Sequence, residues 1–369
     1  MSPRHGGQGR DGGGPGPDGC SEAGQPRTGQ AGPGQPRAGR RAAAGPGRRA
    51  ALAATFGAGA ALAAPSLWAQ GAWPNRPLRM IVPYTPGGAT DAMARLAALK
   101  IGEAVGQSVV VENRPGGNGV VGTAAVLQAP ADGYTILGSA STHVLIHLVL
   151  KSPGFDPLAE FRPVARTAWA PALLVMDPKR PQRTLPEVVA AAKARPREWS
   201  FGVSSLGASG HLAAIAFNRA TEAGIEIIPY RGTAPALTDL QAGNIQLMFD
   251  SAFALLPPSR TGNVRALAIA SRERTPLAPE LPTATETGLP DFEFASWYGV
   301  WAARGVSTEI VQRLHAALAA GFADPAVVQR LTALVCEPVT ESLAATEAYI
   351  AADVAKNTAL LRYARFEPV

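Results

Sequence analysis

From residue 73 onward the apolar positions fall into short runs, separated by turns and by stretches with helical spacing. Met80, Ile81 and Val82 form one such run, followed by Pro86, Gly87 and Gly88, and then by Met93, Leu96, Ala97 and Ile101 at spacings of one helical face. This pattern predicts a strand, a Pro/Gly turn and a helix over 90–105. A β-branched strand over 108–112, a second glycine-rich turn at 113–119, a helix ending near Gln128 and a strand over 134–137 follow. Residues 138–143 read as a small polar loop, and 151–163, with Pro153, Gly154, Pro157 and Pro163, as a longer one. Val144, Leu145 and Ile146, between His143 and His147, read as a strand or a buried segment.

The later chain repeats the alternation. Strands are predicted over 173–176, 201–203, 225–229, 245–249, 264–270 and 294–301, and helices over 234–240, 307–322, 325–334 and 341–355. Thr184-Leu185-Pro186-Glu187 reads as a capped helix start. Residues 204–211 form a polar glycine loop that opens another helix. Alternating strands and helices predict an α/β fold with largely parallel sheet. The topology drawn from them has two α/β domains, 73–172 with 297–369 and 173–296. Crossing segments near 170–175 and 292–298 leave a cleft between them. Ligands of open α/β sheets sit off the carboxyl ends of strands, where the polar turns 84–91, 138–143 and 204–211 fall.

Composition changes the picture mainly at the N-terminus. The net charge is +6, but residues 1–69 carry eight Arg against Asp11, Asp18 and Glu22, and the other 300 residues are almost neutral. The body therefore lacks the basic stripe of a nucleic-acid binder. Residues 1–47, rich in Gly, Pro, Arg and Gln, are expected to be a disordered leader. Arg48-Arg49, a small apolar run and Ala69 make 48–69 a signal peptide, of general secretory or twin-arginine type. A periplasmic location follows as the expectation. Cys20 would leave with the leader, so Cys336 would be the single thiol of the mature chain.

Little in the body suggests catalysis or metal. The histidines are scattered, with no paired metal-ligand motif, and neither a metal nor a cofactor is expected. Gly207-Ala208-Ser209-Gly210-His211 is a near miss to a nucleophile elbow, and no catalytic residue is assigned. A Ser209/His211 hydrolase is the enzymatic alternative. Gly87 and Gly88 suit close approach of an anion to a helix N-terminus. Ser209, His211, Asp91 and Asp250 are candidates for ligand contact, set against a helix cap, a packed ring, a first-turn acid and a strand-end cap. Trp297 and Tyr298 read as core or hinge packing.

Six segments occur in order: Pro83-Tyr84-Thr85-Pro86-Gly87-Gly88-Ala89-Thr90-Asp91, Val111-Glu112-Asn113-Arg114-Pro115-Gly116, Ala131-Asp132-Gly133-Tyr134-Thr135, Tyr230-Arg231-Gly232-Thr233-Ala234-Pro235-Ala236-Leu237-Thr238-Asp239-Leu240, Leu247-Met248-Phe249-Asp250 and Ser296-Trp297-Tyr298-Gly299. Together they resemble the periplasmic substrate-binding receptors of tripartite tricarboxylate transporters, the Bug-type receptors. The resemblance implies a periplasmic binding protein-like Venus flytrap, not an enzyme. It would close as a monomer on one small organic carboxylate and hand it to membrane permease subunits or to a sensor; a sensing co-receptor that feeds no transport is an alternative. It also implies ligand contacts from Tyr84, Pro86, Gly87, Gly88 and Asp91, from Ser139 and Thr142, from Ser209 and His211, and from Asp250. Leu206, Ala208 and Gly210 depart from the family's more polar loop. Ile146-His147 stands where an Asn-Pro pair is common, which points to a ligand less polar than a tricarboxylate.

Overall fold

The computed structural model describes residues 73–369, so the expected leader and signal peptide lie outside the described residues. Ten strands form one continuous mixed sheet in the order β2-β1-β3-β9-β4-β7-β5-β6, with β8 and the two-residue β10 (Glu337–Pro338) paired to β4. At one end β1 (Leu78–Val82) pairs in parallel with β2 (Val109–Asn113) and β3 (Thr135–Ala140). At the other, β5 (Ser200–Val203) pairs in parallel with β6 (Glu226–Pro229) and β7 (Leu247–Ser251). The middle is antiparallel: β9 (Ala295–Ala303) lies between β3 and β4 (Phe161–Met176).

Strand β4 changes partners along its length. Its residues from Phe161 to Pro171 pair with β9, and those from Ala172 to Met176 pair with β7 and with β8 (Arg265–Ile269). The sequence pattern gave a loop to 163 and a strand only from 173. The long strand was hidden because Pro163, Arg162 and Arg166 interrupt its apolar alternation, and register shifts between Pro163 and Ala165 and between Arg166 and Ala168 accommodate the irregularity. Beyond Pro171 the alternation is clean. Leu173 and Val175 join the core on one face of the sheet, while Leu174 and Met176 join that on the other.

Helices cover both faces. In the first half, α1 (Ala89–Val105) and α8 (Thr308–Ala323) pack with Met80, Val82 and Ile136, whereas Ile81 and Leu137 turn to the opposite core with Val144, Trp297 and Trp301. In the second half, α4 (Leu185–Ala194) and α5 (Ser209–Thr221) cover Phe201 and Phe249, and α6 (Thr233–Ala242) and α7 (Ala252–Arg260) cover Leu173, Val175 and Met248. Helices α2 (Val120–Leu127), α3 (Thr142–Val149), α9 (Pro325–Thr332) and α10 (Leu343–Tyr363) complete the set.

Two local expectations are corrected. Residues 138–143 are not a loop, since Gly138 to Ala140 finish β3 and α3 begins at Thr142. Val144, Leu145 and Ile146 are therefore helical, and they looked strand-like because nearly the whole of this short helix is buried. Helix α7 was not predicted, as Pro257 and Pro258 inside it masked the helical pattern.

Gly210, in the first turn of α5, sits against β7, and a Cβ there would lie 2.0 Å from the Phe249 carbonyl oxygen. Two effects oppose each other in Gly210→Ala: helix propensity favours alanine by about 1 kcal/mol, and overpacking against backbone costs about 1–3 kcal/mol. The blocking atom is a strand carbonyl that cannot swing aside, so the clash wins. A net loss of up to about 2 kcal/mol is expected in urea titration; greater stability would show that α5 can slide off β7.

Candidate functional site

The carboxyl ends of the strands and the starts of the helices meet along one seam between the two halves of the sheet. Helices α1, α3, α5 and α6 begin there, at Gly88, Ser141, Ala208 and Gly232, and none of these positions supplies a side-chain cap; α2 and α7 also start without one. Helices α4, α8, α9 and α10 start away from the seam and are capped by Thr184, Ser307, Asp324 and Ser342. The first N–H groups of a helix have no partner within it, and its dipole favours negative charge at that end. Sequence choice has thus left the seam-facing helix starts free to donate.

A cavity of about 30 Å³ lies on the seam. The first half lines it with Tyr84, Thr85, Gly88, Ala89, Thr90 and Asp91 from the β1–α1 turn and with Ala140, Ser141 and Thr142 from the β3–α3 junction. The second half contributes Ser204, Ser205, Ala208, Ser209, Gly232, Thr233 and Asp250, and the crossing strand β9 contributes Ser296 and Tyr298. Hydroxyls and backbone dominate this wall, and no Lys or Arg is among the described residues that line it.

Of the ten residues expected to contact a ligand, the structure brings Tyr84, Gly88, Asp91, Thr142, Ser209 and Asp250 to this cavity; Pro86, Gly87, Ser139 and His211 do not line it. Tyr84 OH and Thr142 Oγ1 are 2.5 Å apart, and burial raises the phenol pKa, so Tyr84 presents a neutral hydroxyl. Pro86 and Gly87 are exposed. Gly87 takes a positive φ of 84° and donates its N–H to Asp91 Oδ2 at 3.0 Å, closing the turn on itself. Asp91 also accepts from Arg95 Nε at 3.0 Å and from Asn113 Nδ2 at 2.9 Å. Burial pushes its carboxyl up, but Arg95, the Gly87 N–H and Asn113 outweigh that and hold it below the usual carboxylate range. Its two oxygens are thus occupied by this chain's own groups.

Ser209 is the first residue of α5, not its cap, and its Oγ lies 2.6 Å from Ser296 Oγ on β9. His211 Nδ1 accepts from the Gly207 N–H at 3.1 Å, its ring meets Phe366 edge-on, and burial lowers its pKa to about 4. Ser209 and His211 take separate partners, so they form no nucleophile–base couple in this geometry. Asp250 lies within β7. Its Oδ2 accepts from Thr233 Oγ1 at 2.8 Å, its Oδ1 accepts from the Ser251 N–H at 2.7 Å, and burial pushes its carboxyl up.

Sequence reasoning placed the 204–211 loop at the ligand end without nominating Ser204 or Ser205, and it missed Thr233, Ser296 and Tyr298. The paired serines after β5 and the Gly232-Thr233 start of α6 repeat the small polar strand-end pattern that marked the other turns, and could have been found by it. Ser296 and Tyr298 stand in an aromatic strand and carry no such signal. Among the described residues, no cluster of three or more His, Cys, Asp or Glu could hold a metal ion.

The seam is bridged by hydrogen bonds. The Asn118 side chain, in the turn before α2, donates Nδ2 to Leu206 O at 3.0 Å and accepts the Leu206 N–H on Oδ1 at 2.8 Å. Thr85 N–H donates to Arg231 O at 3.1 Å.

An α/β sheet with two parallel ends, joined through β4 and β9 and gripping a cleft with uncapped helix starts, defines the periplasmic binding protein-like class. Residues 93–365 match the tripartite tricarboxylate transporter family receptor, and the chain belongs to that family. It is 37% identical to Protein BugT of Bordetella pertussis over 292 residues, 79% of this chain and 90% of that protein. Among solved structures, it is similar to R. palustris Rpa4515 with adipate (36% identity, TM-score 0.78, 80% of this chain and 100% of that one). It also resembles MatC from Rhodopseudomonas palustris with bound malate (28%, TM-score 0.74, 78% and 99%) and the periplasmic binding protein BugD (32%, TM-score 0.76, 80% and 100%).

Proposed function

We propose that this chain is a periplasmic solute receptor, not an enzyme, whose two halves act as domains that close on one small organic carboxylate. The monomeric closed form presents the ligand to the permease subunits of a tripartite transporter. The observation that carries the reading is the convergence of uncapped helix starts on a cavity walled mainly by hydroxyls and backbone, whose two carboxylates, Asp91 and Asp250, are already engaged by this chain's own donors. Such a site compensates a carboxylate through N–H groups and dipoles without a buried cation. The bound adipate and malate of the two R. palustris proteins support the ligand class. A receptor stabilised by its ligand gains about 2.7 kcal/mol at a hundredfold excess over Kd. Thermal melts with adipate, malate, succinate, aspartate and benzoate test this; a ligand-free preparation that shifts with none of them refutes it.

If closure traps the ligand, Asn118 acts as a clasp, because its paired bonds to Leu206 run from one half to the other. Two neutral hydrogen bonds are together worth about 1–3 kcal/mol, so Asn118→Ala should raise the dissociation rate roughly tenfold while the association rate stays near wild type. Asn118 does not line the cavity, so an equal loss in both rates would mean that it shapes the site instead.

A further inference from the structure

We infer that Tyr298 is a ligand-binding residue, whose hydroxyl donates a hydrogen bond to an acceptor oxygen of the bound carboxylate compound. This rests on the receptor reading above and assigns a contact within the same cleft.

Tyr298 is 2% exposed and lines the cavity, yet its hydroxyl has no hydrogen-bond partner among the described residues. A buried hydroxyl left without a partner is costly, and such groups in folded proteins call for an explanation. Of the polar groups around it, Asp250 is engaged by Thr233 and the Ser251 N–H, Ser296 Oγ is paired with Ser209, and the neighbouring Ser251 Oγ is, like the Tyr298 hydroxyl, buried without a partner. The phenol also remains protonated. Burial and the nearby Asp250 carboxyl and Cys336 thiol raise its pKa well above the usual value, so it is available as a donor.

Its position is fixed by the backbone. Tyr298 lies on β9, opposite Ala140 of β3 on one side and Ala168 of β4 on the other, and its carbonyl accepts from Thr167 Oγ1 at 3.2 Å. It therefore stands on a crossing strand between the two halves, at the floor of the cleft. A donor there is available before the halves meet, unlike the Asn118 clasp.

The test is Tyr298→Phe, which deletes one oxygen and keeps the ring that packs in the core. Binding of adipate, malate and succinate is measured by calorimetry on wild type and variant, beside the melting temperature of each without ligand. The expected result is at least a roughly tenfold weaker affinity for whichever acid the wild type binds, with the ligand-free melting temperature unchanged or raised. Unchanged affinity overturns the inference and leaves the receptor reading standing. A ligand-free melting temperature lowered by about 5 °C or more assigns the hydroxyl to the fold and overturns it as well. A wild type that binds no acid in the wider carboxylate panel refutes the receptor reading, and this inference with it.

Discussion

Gly88→Val is expected to leave the protein folded and to weaken carboxylate binding by about 100-fold or more, the loss of one or two charge-assisted hydrogen bonds. Gly88 caps α1 at φ −85° and ψ 173°, an extended conformation that a β-branched residue adopts without strain. A Cβ there would meet Thr233 Cβ at 3.4 Å, an ordinary contact, so the first added carbon is tolerated. The γ-methyls are another matter. They must extend into a cavity of about 30 Å³ or against the start of α6, and either course denies the ligand access to the N–H groups of α1. Gly88→Ala is the graded control and should lose less. Calorimetry with the wild-type ligand reads the affinity, and the melting temperature of the free variant reads the fold. Wild-type affinity in Gly88→Val would place the carboxylate grip away from the β1–α1 turn.

The strands and helices that obey one period were legible in the sequence, and those that break it were not. Met93, Ala97 and Ile101 are buried on α1 as their spacing implied, and Thr184 accepts from the Glu187 N–H as a helix cap should. β4 was read short because its half before Pro171 has shifted register, and α3 was misread because helical period is invisible when both sides of a helix are buried. The same logic divides the site. Strand-end turns announce themselves by glycine and hydroxyl content, which is why Tyr84, Gly88, Thr142 and Ser209 could be nominated. Whether a polar side chain faces the cavity or is used up by its neighbours is decided by contacts distant in sequence. Asp91 is engaged by Asn113 from β2, and His211 turns its ring to Phe366 near the C-terminus. Conversely, Tyr298 looked like packing because its ring is packing; only the unpartnered hydroxyl distinguishes it.

His143 makes the fold sensitive to acid, and replacing it should make the protein less so. It is buried on α3, its ring 4.7 Å from that of Phe161 and 4.9 Å from that of Trp301, and neither ring nitrogen has a hydrogen-bond partner among the described residues. Burial lowers its pKa to about 3. The sign follows from proton counting. Between the folded pKa and the unfolded value of about 6.5 the unfolded chain binds the proton and the folded chain does not, so stability falls as pH drops through that window. At about 1.4 kcal/mol per pH unit, His143 alone costs roughly 2 kcal/mol at pH 5 and roughly 3 kcal/mol at pH 4, relative to pH 7. His211, lowered to about 4 by burial, acts in the same direction, so the variant should keep part of the slope. His143→Phe places an apolar ring in an aromatic cluster and removes the titrating group. Urea denaturation at pH 7 should give a stability within about 1.5 kcal/mol of wild type, and the gap between pH 7 and pH 5 should shrink by roughly 2 kcal/mol. The other titrating groups are common to both proteins, so the difference between the two gaps isolates the His143 contribution. A variant whose stability falls with pH as steeply as wild type would show that the α3 pocket opens to water before His143 is protonated.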